Sequence, residues 1–171
     1  MAIRRLDTVS TNDLQQLAGL LVDSVEGGAS VSFMQPMPLQ RALDFWSGVA
    51  AGVGRGERAL FVSEDAGGIT GTVQLWLDMP ENQPHRADVL KMLVHSRARR
   101  QGLGAALMQA AEDHARALGK TLLVLDTASG TAERLYTRLG WQRVGAIPNF
   151  ALLPQGGLCA TTYFYRDLSG L

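Results

Sequence analysis

The chain has 171 residues, 46% of them apolar and 19% charged, and its 16 basic and 16 acidic side chains cancel to a formal net charge of zero. That length supports one domain with a substantial core, expected to span residues 1–171. The neutral balance argues against nucleic acid or an anionic membrane as a partner. A lone cysteine, Cys159, leaves no intrachain disulfide and fits a reducing compartment. No apolar run approaches the ~18 residues of a membrane span, and the segment from Met1 to Asp7 lacks the apolar centre of a signal peptide. A cytoplasmic location is expected.

Residues 2–7 predict a short first strand. Thr11-Asn12-Asp13 resembles a helix start, and Leu14, Leu17, Leu21 and Val25 recur at helical spacing up to Gly27-Gly28. The connection from Ala29 to Met37 is unusually apolar, and Phe33 and Met34 have two readings: they seal the core, or they roof a substrate pocket. A second helix is expected over Leu39–Val53, with Leu43, Trp46, Val49 and Ala50 inward. It runs into Gly52-Val53-Gly54-Arg55-Gly56, which lacks the Lys-Ser/Thr and the preceding strand of a phosphate-binding loop. Ala59–Ser63 and Ile69–Trp76 predict a hairpin turning at Asp65-Ala66-Gly67-Gly68.

Ala87–Val94 reads as a strand, followed by a helix with Leu103, Leu107, Ala110, Ala111 and Leu118 on one stripe and Gly119 at its end. Thr121–Asp126 is a continuous apolar strand, as expected when both faces are buried. A shorter helix over Thr131–Leu139 stops at Gly140, and Trp141–Ile147 and Cys159–Arg166 are the last strands. The order implies an α/β fold: a mixed, mostly antiparallel sheet of about seven strands with helices on both faces.

Between the strand ending at Val94 and the next helix stands Arg99-Arg100-Gln101-Gly102-Leu103-Gly104-Ala105. A glycine-rich turn entering a helix N-terminus leaves backbone N–H groups unpartnered, and with the helix dipole and nearby arginines these suit a pyrophosphate. Arg97, Arg99 and Arg100 crowd the turn, and Arg134 and Arg138 follow on the later helix, a local charge suited to one small anionic ligand.

This turn resembles the pyrophosphate signature Gln/Arg-x-x-Gly-x-Gly/Ala of the GNAT superfamily of acyl-CoA-dependent N-acetyltransferases. Leu135-Tyr136-Thr137-Arg138-Leu139-Gly140-Trp141 resembles the family's second motif, Leu-Tyr-x-x-Leu-Gly-Phe/Trp. A closer resemblance is to tabtoxin-resistance acetyltransferases. It runs through residues 27–34, through Arg86-Ala87-Asp88-Val89-Leu90-Lys91-Met92-Leu93-Val94, and from Leu125-Asp126-Thr127 to Arg143-Val144-Gly145. That match favours the pocket reading of Phe33 and Met34 and brings toxin or antibiotic resistance into view. Two positions depart from the family pattern: Arg100 stands where Gly is common, and Ser129 stands three residues before Ala132 where Asn contacts the pantetheine arm.

The resemblance implies acetyl-CoA as co-substrate and no metal, in keeping with His85, His95 and His114, which are too scattered for a metal site. Donor binding falls to Arg99, Arg100, Gln101, Gly102, Leu103, Gly104 and Ala105, with Leu93 and Val94 offering backbone groups to the pantetheine and Ser129, Ala132 and Tyr136 completing the site. A backbone N–H at the strand end would polarise the thioester carbonyl. Tyr136 is the candidate proton donor to the departing thiolate. Asp88 and Asp126 are the candidate base and substrate anchor. Asp88 lies six residues before Val94, so regular alternation puts the two on one face. Competing readings make Asp88 an ion-pair partner of Arg86 or Lys91, and Asp126 a cap for the following helix.

The expected acceptor is the amine of a small molecule: an amino acid, or an amine-bearing toxin or antibiotic. Acetylation of a protein N-terminus or lysine, transfer of a larger acyl group, and a CoA-binding regulatory module without turnover are the alternatives. An RNA-directed acetyltransferase fits the neutral charge poorly. Edge pairing of sheets, common among resembling proteins, leaves a homodimer open.

Overall fold

In the computed structural model, which describes residues 2–170, the first helix begins with a reciprocal cap. Ser10 Oγ accepts from the Asp13 N–H at 3.1 Å, and Asp13 Oδ2 accepts from the Ser10 N–H at 2.9 Å. This helix, α1 (Thr11–Glu26), is followed by the 29–37 connection and α2 (Leu39–Gly54). The strands are β1 (Ile3–Arg5), β2 (Arg58–Asp65), β3 (Gly68–Trp76), β4 (Arg86–Val94), β5 (Leu122–Thr127), β6 (Gln142–Leu152) and β7 (Leu158–Asp167), with α3 (Leu103–Ala117) and α4 (Gly130–Arg138) on either side of β5.

The seven strands form one sheet in the order β1-β2-β3-β4-β5-β7-β6, parallel only where β4 meets β5. The expected mixed, mostly antiparallel sheet with helices on both faces is therefore what forms. Leu17, Leu21, Trp46 and Val49 pack α1 and α2 onto Leu60 and Val62 on one face. Leu107, Met108 and Ala111 of α3 pack onto Val73, Leu75, Leu123, Leu125 and Phe164 on the other. Each buried Val, Leu, Met or Phe among them contributes on the order of 1.5–3 kcal/mol of hydrophobic stabilisation. No described helix is long and apolar enough to cross a membrane.

Two expectations need correction. Leu118 is 48% exposed, because α3 ends before it and it serves as the C-cap residue. β6 runs on past Ile147 to Leu152, because β7 pairs with it that far (Ala151↔Cys159, Leu152↔Leu158). Pro148 and Asn149, just past the expected strand end, are absorbed by a register shift between Ile147 and Ala151, with Asn149 at φ +54°.

A third correction bears on the site. β4 pairs with β3 as Gln74↔Leu90 and then Thr72↔Leu93, so Lys91 and Met92 stand opposite Val73 alone. Lys91 takes φ +51°, a conformation that costs a non-glycine residue on the order of 1 kcal/mol. This bulge reverses the alternation. Ala87 and Val89 before it, and Met92 and Val94 after it, face the α3 core, whereas Leu93 faces the α1–α2 core. Asp88 and Val94 are thus on opposite faces, not the same one.

Candidate active site

β4 and β5 pair only at Arg86↔Leu122, Ala87↔Leu123 and Asp88↔Val124. Beyond that β4 continues to Val94 without a partner on its β5 side among the described residues. The strands splay toward the N-termini of α3 and α4, the usual place for a ligand in such a sheet. The result is a slot, with the backbone of Leu93 and Val94 along one wall.

The turn lies at the mouth of this slot. Arg100 and Gly102 both adopt the left-handed conformation (φ +63° and +79°), and α3 has no side-chain cap. Its first intrahelical bond is Ala106 N–H to Gly102 O at 3.1 Å, so the N–H groups of Leu103, Gly104 and Ala105 lack intrahelical partners and fit a diphosphate. Gly104 has a packing role as well: a Cβ there would stand 2.9 Å from Leu135 Cδ2 and 3.7 Å from Met92 Sδ. The first motif and the second therefore touch through a missing side chain.

The arginines divide. Arg97 is bound to Asp65 at the β2–β3 turn, away from the role the sequence assigned it. Arg99 lies beside α1, where a Cβ on Gly27 would come within 3.6 Å of its Nη2. Asp23 of α1 accepts from the Ser96 N–H (2.8 Å) and Oγ (2.6 Å), tying α1 to the start of the turn. Burial opposes ionisation of Asp23, but these bonds, with His95 and Arg99, hold it below the usual carboxylate range. His95 Nδ1 accepts from the Arg97 N–H at 3.3 Å and so caps the short 3₁₀ turn Ser96–Ala98. Arg134 and Arg138 overlook an open groove of about 550 Å³ on the outer side of α4.

Tyr136 is buried in the α3-side core, its ring packed on Trp141 (5.9 Å between centroids) and Phe164 (5.8 Å). Burial, and then the Asp126 charge, push its phenol well above its ordinary value, so it holds its proton throughout the neutral range. Trp141 is anchored by its indole N–H donating to Glu112 Oε1 on α3 at 2.8 Å. Ser129 caps α4, its Oγ accepting from the Ala132 N–H at 3.3 Å, so what it offers a ligand is its O–H.

Asp88 and Asp126 share the other face of the sheet. Leu123 and Leu125 of β5 point into the α3-side core, which leaves Val124 and Asp126 on the side of Asp88, Val124's cross-strand partner. Asp88 pairs with Arg86 at 3.1 Å, one of its two competing readings. Burial raises its pKa nevertheless; Arg86 opposes the shift and the Asp126 charge adds to it. Asp126 caps nothing: Ser129 does that, and Asp126 Oδ2 accepts from Thr161 Oγ1 on β7 at 2.6 Å. Ser30, Ser32, Asp126, Phe150, Cys159 and Thr161 are among the residues around a cavity of about 130 Å³. Phe33 and Met34 are not on its wall. Phe33 is half-buried and packs edge-on against Phe45 at 5.3 Å, and Met34 is 39% exposed.

The sequence reading missed three residues of this face. Lys91 donates from Nζ to Ser32 Oγ at 3.0 Å and lies 5.8 Å from the centre of the Phe45 ring. Arg58 donates to Gln74 Oε1 at 2.8 Å and stacks 4.4 Å from the centre of the Trp76 ring. Tyr163 pairs with Asp126 across β5 and β7, and its pKa is raised by burial and then by Asp126 and Asp88. The sequence held no signal for any of the three, because Lys91 reaches this face only through the β4 bulge and the others through strand pairing.

Comparison with known proteins agrees with this geometry. The model of the "Acetyltransferase (GNAT) family" matches residues 29–141. An uncharacterised N-acetyltransferase from the hisH–hisA intergenic region of Azospirillum brasilense is 34% identical over 128 residues, 74% of each chain. Two solved structures share the fold at low identity. One is a ribosomal-protein-alanine N-acetyltransferase from Brucella melitensis (TM-score 0.80, 19% identity, 98% of this chain and 100% of that one). The other is a phosphinothricin acetyltransferase from Sinorhizobium meliloti in complex with acetyl-CoA (TM-score 0.80, 19% identity, 98% and 89%). With the family model covering both motifs and the strand between them, the chain belongs to the GNAT family and is an acetyltransferase.

Proposed function

We propose that this protein transfers the acetyl group of acetyl-CoA to the amine of a small molecule. The observation that carries the reading is the arrangement about the β4–β5 slot: two carboxylates, Asp88 and Asp126, on the α1–α2 face, and a protonated phenol, Tyr136, in the core on the other. In this reading the pantetheine lies along Leu93 and Val94, and the diphosphate on the N–H groups of residues 103–105, beside Arg99 and Arg100. Acetyl-CoA in the Sinorhizobium meliloti enzyme supports that donor.

The chemistry follows from the two sides. An alkyl ammonium, with a pKa of about 10.4, must lose a proton before it can attack. One of Asp88 and Asp126 takes that proton, directly or through water, and the other holds the cation. The amine nitrogen forms its bond to the carbonyl carbon as the carbon–sulfur bond breaks, and Tyr136 gives its proton to the leaving thiolate. Its raised pKa makes Asp88 a better proton acceptor than an ordinary carboxylate, and the Arg86 contact keeps it in place.

The small-molecule acceptor is supported by the narrowness of the cavity beside Asp126 and by the covering of that face by α1, α2 and their connection. The resemblance to tabtoxin-resistance acetyltransferases points the same way and makes detoxification of an amine-bearing inhibitor a specific form of the proposal. An edge-to-edge homodimer would use β6, where Val144, Ile147 and Leu152 are exposed; sedimentation velocity tests it. A screen of amines that follows release of free CoA tests the activity. Turnover of peptide N-termini or lysines in preference to every small amine would replace this reading with a protein acceptor.

A further inference from the structure

Arg58 and Lys91 have only neutral groups against them on the acceptor face. The Arg58 guanidinium meets Gln74 Oε1 and the Trp76 ring, and the Lys91 ammonium meets Ser32 Oγ and the Phe45 ring. The carboxylates nearby are engaged elsewhere: Glu57 by Arg55, Asp88 by Arg86, Asp126 by Thr161. Burial lowers the pKa of both cations; the Glu57 charge opposes this at Arg58 and the Asp126 charge at Lys91, where the Arg58 charge adds to the lowering. Cations partly removed from water without a carboxylate in ion-pair contact are a standing cost, relieved when an anion arrives.

The fold maintains this cost by two deliberate features. Gly52, buried on α2, leaves room for the Arg58 side chain; a Cβ there would come 3.1 Å from Arg58 Cδ. The β4 bulge turns Lys91 away from the α3 core, where regular alternation with Ala87 and Val89 would have sent it, and onto the face of Asp88. Beneath Arg58 the fully buried Gln74 has an amide nitrogen with no hydrogen-bond partner.

We infer that Arg58 and Lys91 form an anionic-group subsite beside the carboxylates, so that the acceptor is an amine that also carries a carboxylate or equivalent oxyanion. The inference rests on the small-amine reading above. An ammonium set toward Asp88 and Asp126 and a carboxylate set toward Arg58 and Lys91 would leave each charge on this face opposite its complement.

The test compares the proteinogenic L-amino acids with their primary amides, which keep the side chain and amine but lose the anion. Rates with acetyl-CoA are measured for the native enzyme, Lys91→Met, Arg58→Gln and the charge-retaining Lys91→Arg, with CoA affinity as the check on folding. The native enzyme is expected to prefer the acid form of its best substrate. Lys91→Met and Arg58→Gln should each raise KM for the acid about tenfold more than for the amide, with Lys91→Arg recovering part of the difference. Equal losses with acid and amide, or a native preference for amides, overturn the subsite and leave the small-amine reading standing. No turnover in either series, or of any amine in the wider screen, by an enzyme that binds acetyl-CoA overturns both.

Discussion

The turn at 99–105 and the proposed acceptor face on β4 and β5 are neighbours made of different material. The turn works through backbone: two left-handed residues, an uncapped helix and a glycine whose missing Cβ lets Leu135 approach. The acceptor face works through side chains gathered from β2, β3, β4, β5, β7 and the 29–37 connection. A backbone device tolerates changes of side chain as long as its dihedral angles and clearances survive. A side-chain device fails one group at a time.

That contrast is most exposed at the carboxylates. Asp88→Asn and Asp126→Asn should each lower kcat/KM by tenfold or more, and the one that serves as base by about 10²–10⁴; steady-state kinetics at saturating acetyl-CoA checks this, and native-like turnover in both variants would remove the proposal. Tyr136→Phe should lower kcat at least about tenfold with little change in KM. Because burial and Asp126 keep the phenol protonated, that loss should be constant from pH 6 to 9. A loss that disappears toward high pH would show that the phenol is not the donor.

On the turn, steric changes should outweigh changes of charge. Gly104→Val forces two methyl groups toward Leu135, whose Cδ2 already lies 2.9 Å from an added Cβ, and should destabilise the fold by about 1–3 kcal/mol while weakening CoA binding. Denaturant titration and calorimetry with CoA measure the two. Arg100→Gly removes a positive charge but relieves a φ of +63°, so CoA affinity should change by no more than about threefold, with stability unchanged or higher. That dihedral also gives a physical reason why glycine is common at this position in resembling proteins.

The acceptor face should show the reverse relation between activity and stability. The pKa of Asp88 is raised in the folded state, chiefly by burial, so its ionised form is disfavoured by folding; this penalty is absent at low pH and grows as pH rises through the raised pKa. Asp88→Asn should therefore melt at a higher temperature than the native protein near pH 7 and lose that advantage below about pH 4. Thermal scans across this range decide it, and a variant less stable at pH 7 would show that the Arg86 ion pair outweighs the burial.

Much of this molecule is written locally. The repeats of Leu17, Leu21 and Val25 and of Leu103, Leu107 and Ala111, the glycine stops, and the apolar run at Leu122–Leu125 are enough for the order of elements, because helix periodicity and strand burial act over a few residues. The two motifs are local as well, so the uncapped turn before α3 and the place of Tyr136 on α4 could be read directly. What the tertiary structure decided was pairing and direction. Arg97 turned to Asp65 because the β2–β3 turn happens to lie beside it. Phe33 packed onto Phe45, and Ser30 and Ser32 took the cavity wall instead. One left-handed residue, Lys91, reversed the alternation of β4, parted Asp88 from Val94 and put a lysine on the acceptor face. No periodicity encodes such a bulge, because it arises from the register with a neighbouring strand, and register exists only once the sheet has formed.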